Sequence, residues 1–344
     1  MKNKKNSIFL IVVPILCILI VALFAYDRYQ TNQLAKKFKQ DNQTVDTSKN
    51  NNQTSLENKL PTIYCVGDST TIGTSKNTSY PKYLENSINT TITTFGDDSI
   101  NSLALAIKFG VSEIYVNNFT IPAKSEETTI TLLDKNGQAV NAILTSKTNI
   151  DKCTINNIEG SINYDTANNR LVFKRSKAGE SSKISTLTKI EVTKPEINKD
   201  NILILFTGSY EESVQGSLAE YQKQIISAFN TDKYIVVSLT QDDRDATNNL
   251  LKTTHGDHYL DFKSYLLTSG LKDAGITETA QDKTNLANKN TPSSLLDDKI
   301  NGNSKYNELL AKQLTDKMTK LGLFYLEQFL YTLIFNKIKV FFYS

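Results

Sequence analysis

From Pro61 onward, short apolar runs alternate with stretches of helical periodicity, the pattern of a parallel α/β sheet. Thr62–Val66, Thr91–Phe95, Ile202–Thr207, Tyr234–Leu239 and Tyr259–Phe262 read as strands. Tyr80–Ile88, Ser217–Phe229 and Asp243–Lys252 read as helices between them. Tyr306, Leu309, Leu310, Leu314, Met318 and Leu321 form an apolar stripe at helical spacing, which predicts a terminal packing helix. Residues 111–195 break the alternation. They hold the runs Ile114–Ile121, Thr128–Leu133, Ala139–Thr145 and Arg170–Lys174, punctuated by Asn136-Gly137 and Asn168-Asn169. Asn and Gly tolerate positive φ and favour tight turns, so the segment predicts a β-rich insertion, a small sandwich or barrel.

The ends differ from this middle. Lys2, Lys4 and Lys5 precede an almost unbroken apolar run over residues 8–26, about the length of a membrane-crossing helix. Its exit, Ala22-Leu23-Phe24-Ala25-Tyr26, lacks the alternating small residues of a cleaved signal, which predicts an uncleaved anchor. The lysines place residues 1–7 in the cytosol and the rest of the chain outside, at the cell surface. Cys17, inside the run, reads as an apolar membrane-facing residue. Residues 27–60 are rich in Asn, Gln, Lys and Thr and predict a flexible stalk. The globular domain is expected over 61–322. Residues 323–344 form an aromatic tail, interrupted by Glu327 and by the Asn336–Lys339 stretch. It is short for a second span and reads as a segment packed on the domain or lying at the membrane surface.

Composition narrows the partners. With 39 Lys and Arg against 36 Asp and Glu, and no basic stripe interleaved with aromatics, nucleic acid is not an expected partner. Beyond the anchor only Cys65 and Cys153 remain, neither with metal-site spacing, and they read as two separate buried thiols. No cofactor and no metal is expected. Asp97 and Asp98 are a pair of acids in a loop, which usually means solvation, and no His or Cys joins them.

The segment with chemistry is Gly67-Asp68-Ser69, directly after the first strand. A Ser at the carboxyl end of a strand in an open parallel sheet lies where such sheets bind ligands. A turn there can present its Oγ together with its own N–H, as a nucleophile needs.

Ile63-Tyr64-Cys65-Val66-Gly67-Asp68-Ser69 resembles the first block of the SGNH/GDSL hydrolases. Asn201–Gly208 is similar to the strand leading to that family's third block, and Leu295–Leu310 to its Asp-x-x-His block with the closing helix. The resemblance covers 61–322, and it implies a bacterial, membrane-anchored member with a three-layer α/β/α, flavodoxin-like fold plus the β-rich insertion. It also implies a Ser nucleophile, a His base, an orienting Asp, and an oxyanion hole built from the Ser N–H, a Gly N–H and an Asn side chain. Ser69 matches the nucleophile and Asp298 the Asp. Where the family has His this chain has Asn301, which cannot act as a base near neutral pH. The oxyanion positions fall on Ser69, Ser99 and Tyr210, so the family Gly and Asn are both replaced.

The only histidines, His255 and His258, precede the last expected strand, at the wrong edge for a nucleophile, and read as surface or turn residues. Three functions remain open. One is an ester hydrolase weakened by loss of its base, acting on acyl groups of cell-surface carbohydrate. The second is a non-catalytic pseudoenzyme that binds glycan or envelope polymer. The third is a structural surface protein.

Overall fold

The first apolar run forms β1 (Thr62–Gly67), buried at every position. A strand covered on both faces needs a continuous apolar run rather than an alternating one, and TIYCVG supplies it. The computed structural model describes residues 61–74, 78–88, 90–211 and 217–323. The expected anchor (8–26), the stalk (27–60) and the tail from residue 324 lie outside the described residues. Among the described residues no helix is long and apolar enough to cross a membrane.

After β1 come β2 (Ile92–Gly96), then β3 (Ile114–Val116), β4 (Phe119–Ile121), β5 (Glu127–Ile130), β6 (Ile150–Ile155), β7 (Ile158–Asp165), β8 (Arg170–Arg175), β9 (Ser182–Ile184) and β10 (Thr188–Val192). β11 (Asn201–Phe206), β12 (Tyr234–Val237) and β13 (Tyr259–Leu260) complete the order. The architecture is mixed α/β. A five-stranded parallel sheet runs β13-β12-β11-β1-β2, with Thr62 opposite Asn201 and Ile63 opposite Ile92. Strands β3 to β10 sit between β2 and β11 in sequence. They make a six-stranded antiparallel sheet, β3-β10-β6-β7-β8-β5, and a two-stranded β4-β9 ribbon.

The helices Tyr80–Ile88 and Ser217–Phe229 form where their periodicity predicts, and a helix over Ser304–Lys320 carries the apolar stripe. Asn303 starts that last helix by accepting from the N–H groups of Lys305 and Tyr306. The helix expected over Asp243–Lys252 runs over Asp245–His255.

Three readings need correction. The strand expected over Tyr259–Phe262 ends at Leu260, because the Asp261 carboxylate accepts from Ser264 N–H (3.3 Å) and caps a helix that begins at Phe262. Ile114–Ile121 is two strands, broken at Asn118, whose φ is 53°. Ala139–Thr145 holds a short helix, Ala142–Thr145, in place of a strand. Its apolar run is too short for periodicity to separate the two states, and Ala and Leu favour the helix.

Candidate active site at the carboxyl edge of the parallel sheet

β1 lies between β2 on one side and β11 on the other, so the connections leaving these strands diverge and open a crevice at their carboxyl ends. The three strands end in very close contact. A Cβ on Gly67 would lie 2.1 Å from the Phe206 carbonyl oxygen, and one on Gly96 would lie 1.8 Å from the Gly67 carbonyl oxygen. Only glycine fits at either position. This approach brings the segments after β1, β2 and β11 together, and with them Ser69, Ser99 and Tyr210.

Asp68 accepts from Thr70 N–H (3.0 Å) and from the Thr70 hydroxyl (2.7 Å), turning the chain into the short helix Ser69–Ile72. Ser69 is therefore the first helical residue, and it is 2% exposed. Its Oγ lies 2.8 Å from Asn301 Oδ1 and 2.8 Å from the Tyr210 hydroxyl. Asn301 Nδ2 in turn donates to Asp298 Oδ2 at 3.0 Å, and the Asp298 carboxylate also accepts from the Asn301 N–H at 2.7 Å.

Proton counting fixes the direction of these bonds. Asp298 as a carboxylate can only accept, so the Asn301 amide turns its NH2 toward it and its oxygen toward Ser69. The Ser69 hydroxyl must then donate its single proton to Asn301 Oδ1. With that proton committed, Tyr210 donates to Ser69. The result is one chain of donors, Tyr210 to Ser69 to Asn301 to Asp298. It has the connectivity of a serine-hydrolase triad, with an amide oxygen where a basic nitrogen would receive the proton. That oxygen accepts a hydrogen bond but does not take up a proton near neutral pH, so Ser69 stays an alcohol.

The remaining expected residues lie around this chain. Ser99 is exposed and has φ 58°, a left-handed conformation that glycine adopts freely and that costs a residue with a Cβ roughly 1–2 kcal/mol. The Tyr210 phenol is held above its ordinary pKa by burial foremost, opposed by its hydrogen-bonding contacts with Ser69 and Ser99 and reinforced by the charges of Asp68 and Asp98. A raised phenol stays protonated near neutral pH, so Tyr210 does not substitute for the absent imidazole.

Asp97 and Asp98 are not an equivalent solvated pair. Asp97 pairs with Lys108 and accepts from the Thr148 hydroxyl, tying the end of β2 to the β-rich segment. His255, expected at the surface, is buried at the end of its helix, and its Nε2–H donates to Gln222 Oε1 at 3.0 Å. His258 bonds the Tyr234 carbonyl through Nδ1 (2.9 Å) and stacks on the Tyr234 ring, with centroids 4.1 Å apart. Tyr234 opens β12, so His258 is at the amino edge, whereas the partner of His255, Gln222, also donates from Nε2 to the Thr207 carbonyl just past β11 (3.3 Å); neither histidine is a hydrogen-bond partner of the Ser69 hydroxyl. Cys65 and Cys153 are buried, free thiols, one in each sheet.

Two features of the site, the burial of Asp68 and the reach of Glu211, are not legible in the sequence. Asp68 is fully buried, and burial raises its pKa to about 6 against the hydrogen bonds from Thr70. Ser209 lies close enough to oppose that rise, yet its hydroxyl and Asp68 Oδ2 both end without a partner in hydrogen-bond geometry. Glu211 accepts from the Ser102 N–H at 2.5 Å, joining the segment after β11 to the helix Ser102–Lys108. The only signal for Glu211 is adjacency to Tyr210. Among the described residues no group of three or more His, Cys, Asp or Glu side chains could hold a metal ion. No family model and no curated protein matches the chain.

Proposed function

We propose that this is an SGNH/GDSL-type acyl-ester hydrolase-like protein, three-layered and flavodoxin-like, whose hydrolytic step is disabled at Asn301. One observation carries the reading: Ser69, Asn301 and Asp298 are joined in the order and at the distances of a triad, but the middle residue has no nitrogen to accept the Ser69 proton. The apolar run at 8–26 and the polar stretch at 27–60 support an anchored, extracytoplasmic location. The ligands in keeping with it are acyl esters of cell-surface carbohydrate.

A second reading, a pseudoenzyme that binds glycan or envelope polymer without turnover, is favoured by Tyr210. Its hydroxyl occupies a lone pair of Ser69 Oγ, where attack on a carbonyl would begin.

Hydrolysis of p-nitrophenyl acetate by the full chain and by Ser69→Ala tests the proposal. Equal, background rates are expected. Turnover that depends on Ser69 would mean that another group takes its proton, and the disabled-site reading would fall.

A further inference from the structure

Beside the triad-like chain, the carboxyl edge carries a second set of polar groups on the segment that leaves β12. Residues 238–244 run from the end of β12 to the helix Asp245–His255. Neighbouring elements fix this segment. Asn248 brackets Leu239, accepting from its N–H at 2.9 Å and donating to its carbonyl at 2.8 Å. Buried Lys263 donates to the Gln241 carbonyl at 3.1 Å and to Asp245 Oδ1 at 3.0 Å. Thr240 shares a 2.9 Å hydrogen bond with Tyr306, in the helix that follows Asn301. Arg244 Nη2 reaches the carbonyl of Glu211, the neighbour of Tyr210, at 3.5 Å. The segment thus lies between the turn that carries Asn301 and the turn that carries Tyr210, both of which meet Ser69.

Its side chains are not satisfied within the protein. Both amide atoms of Gln241, Oε1 and Nε2, and the Nε of Arg244 are buried without a hydrogen-bond partner. Such an orphan costs the full desolvation of the group, and an unpaired guanidinium costs more again. The Arg244 bond to Glu211 is long for N–H···O, and among the described residues no carboxylate pairs with this guanidinium. Asp245 faces Lys263 instead, and Asp242 and Asp243 are exposed. Nε and Nη2 lie on one side of the guanidinium plane, the side that takes a carboxylate by two parallel N–H···O bonds. Gln241 adds a donor and an acceptor beside it. That acceptor calls for a hydroxyl rather than a further anionic oxygen.

We infer that Gln241 and Arg244 form a recognition subsite for an acidic sugar, a uronic acid whose carboxylate takes the Nε–Nη2 side of Arg244 while its ring hydroxyls bond the Gln241 amide. The inference rests on the reading of the crevice as a carbohydrate-ester site and deepens it by naming the sugar. Because the backbone of residues 238–244 is already fixed, little freedom is lost on binding. A sugar held there keeps its remaining hydroxyls, and any acyl group on them, in the crevice that Ser69 lines. Inorganic phosphate is the rival anion. It fits the Arg244 edge, but as a dianion it leaves Gln241 Oε1 without a donor.

Isothermal titration of the full chain in detergent micelles with trigalacturonate, with neutral galactotriose and with inorganic phosphate tests this. Trigalacturonate is expected to bind, and galactotriose to bind at least about 10-fold more weakly. Arg244→Gln and Arg244→Lys should each weaken trigalacturonate by about 10–100-fold, since the Lys ammonium offers no fork, and Gln241→Leu by about 3–10-fold. Ser69→Ala should leave it unchanged. Absence of trigalacturonate binding, equal binding of the acidic and neutral sugars, tighter binding of phosphate, or binding undiminished in Arg244→Gln would each overturn the inference. The wild-type comparison of the three probes decides it without any variant, should one fail to fold. p-Nitrophenyl acetate has neither carboxylate nor sugar, so its hydrolysis does not engage Gln241 or Arg244. Failure of the titration beside background hydrolysis removes the subsite alone, whereas Ser69-dependent hydrolysis removes the disabled-site reading whatever the sugars do.

Discussion

At the carboxyl edge of the parallel sheet, Tyr210, Ser69, Asn301 and Asp298 form a chain of hydrogen bonds that offers Ser69 no base. The two histidines of the protein are held elsewhere, His258 stacked on Tyr234 at the amino edge and His255 buried against Gln222, which also bonds the Thr207 carbonyl. A serine, an acid and imidazoles are all in the chain, but neither imidazole bonds the alcohol. For His258 the separation is the length of a strand of four to six residues, roughly 13–20 Å, beyond the reach of any side-chain rotamer. The difference teaches that the inventory of chemical groups says little until topology assigns each to its place.

The largest effect is expected from putting a base where the amide now is. Asn301→His with Tyr210→Asn should raise Ser69-dependent hydrolysis of p-nitrophenyl acetate by about 10²–10⁴-fold, the usual contribution of a positioned general base. The control is the same double variant carrying Ser69→Ala. A flat rate would mean that the carboxyl edge lacks more than its base.

A second test sets the two regions against each other in pH. Asp68, at the carboxyl edge, has its pKa raised to about 6, so the folded state holds its proton more tightly than the unfolded chain. Its contribution to stability is greatest below about pH 4 and falls as pH rises toward 6, by up to about 3 kcal/mol for a shift of some two units. His255, buried against Gln222, has its pKa lowered to about 4 by burial foremost and by the charges of Lys223 and His258. The unfolded chain therefore binds the proton more tightly, and stability is lost as pH falls from about 6.5 toward 4. The two slopes oppose and partly cancel in the wild type. Urea unfolding of Asp68→Asn, which keeps a capping side chain, should show stability rising with pH across this window, and His255→Gln should show it falling. Like slopes in the two variants would break the assignment.

The smallest effect is expected at His258. His258→Ala removes one hydrogen bond and one ring stack at a partly exposed site, about 1 kcal/mol of stability. The hydrolysis rate of the Asn301→His, Tyr210→Asn protein should not change. A fall in that rate would place His258 in communication with Ser69.

The parallel sheet is legible because its strands are buried on both faces: TIYCVG and NILILF have no polar positions to obscure them beyond their ends. The antiparallel sheet is less so. β6 escapes a sequence reading since a bulge between Ile150 and Cys153 interrupts its alternation, and Asn156-Asn157, both at positive φ, is the tight turn that joins it to β7. The short helix Ser102–Lys108 is also hidden, because its Asn101 cap is a single residue in an apolar context. At the site, Ser69 is legible from its place after the first strand, and Asp298 and Asn301 only through the resemblance of Leu295–Leu310 to an Asp-x-x-His block. Their order as donors is not, since it depends on how one amide turns between a carboxylate and a hydroxyl. Nor is the burial of Asp68, which depends on three strand ends meeting at glycines.

The two buried thiols offer a clock for each half of the molecule. Cys65 lies within β1 and Cys153 within β6, and burial raises both pKa values to about 12, so neither presents thiolate to a reagent while its sheet is closed. Modification of each must wait for its own sheet to open. Peptide mapping of one alkylation time course would therefore record two opening rates from a single sample. Equal rates would identify one cooperative unit. Earlier modification of Cys153 would show the antiparallel sheet coming apart while the strands that carry Ser69 stay paired.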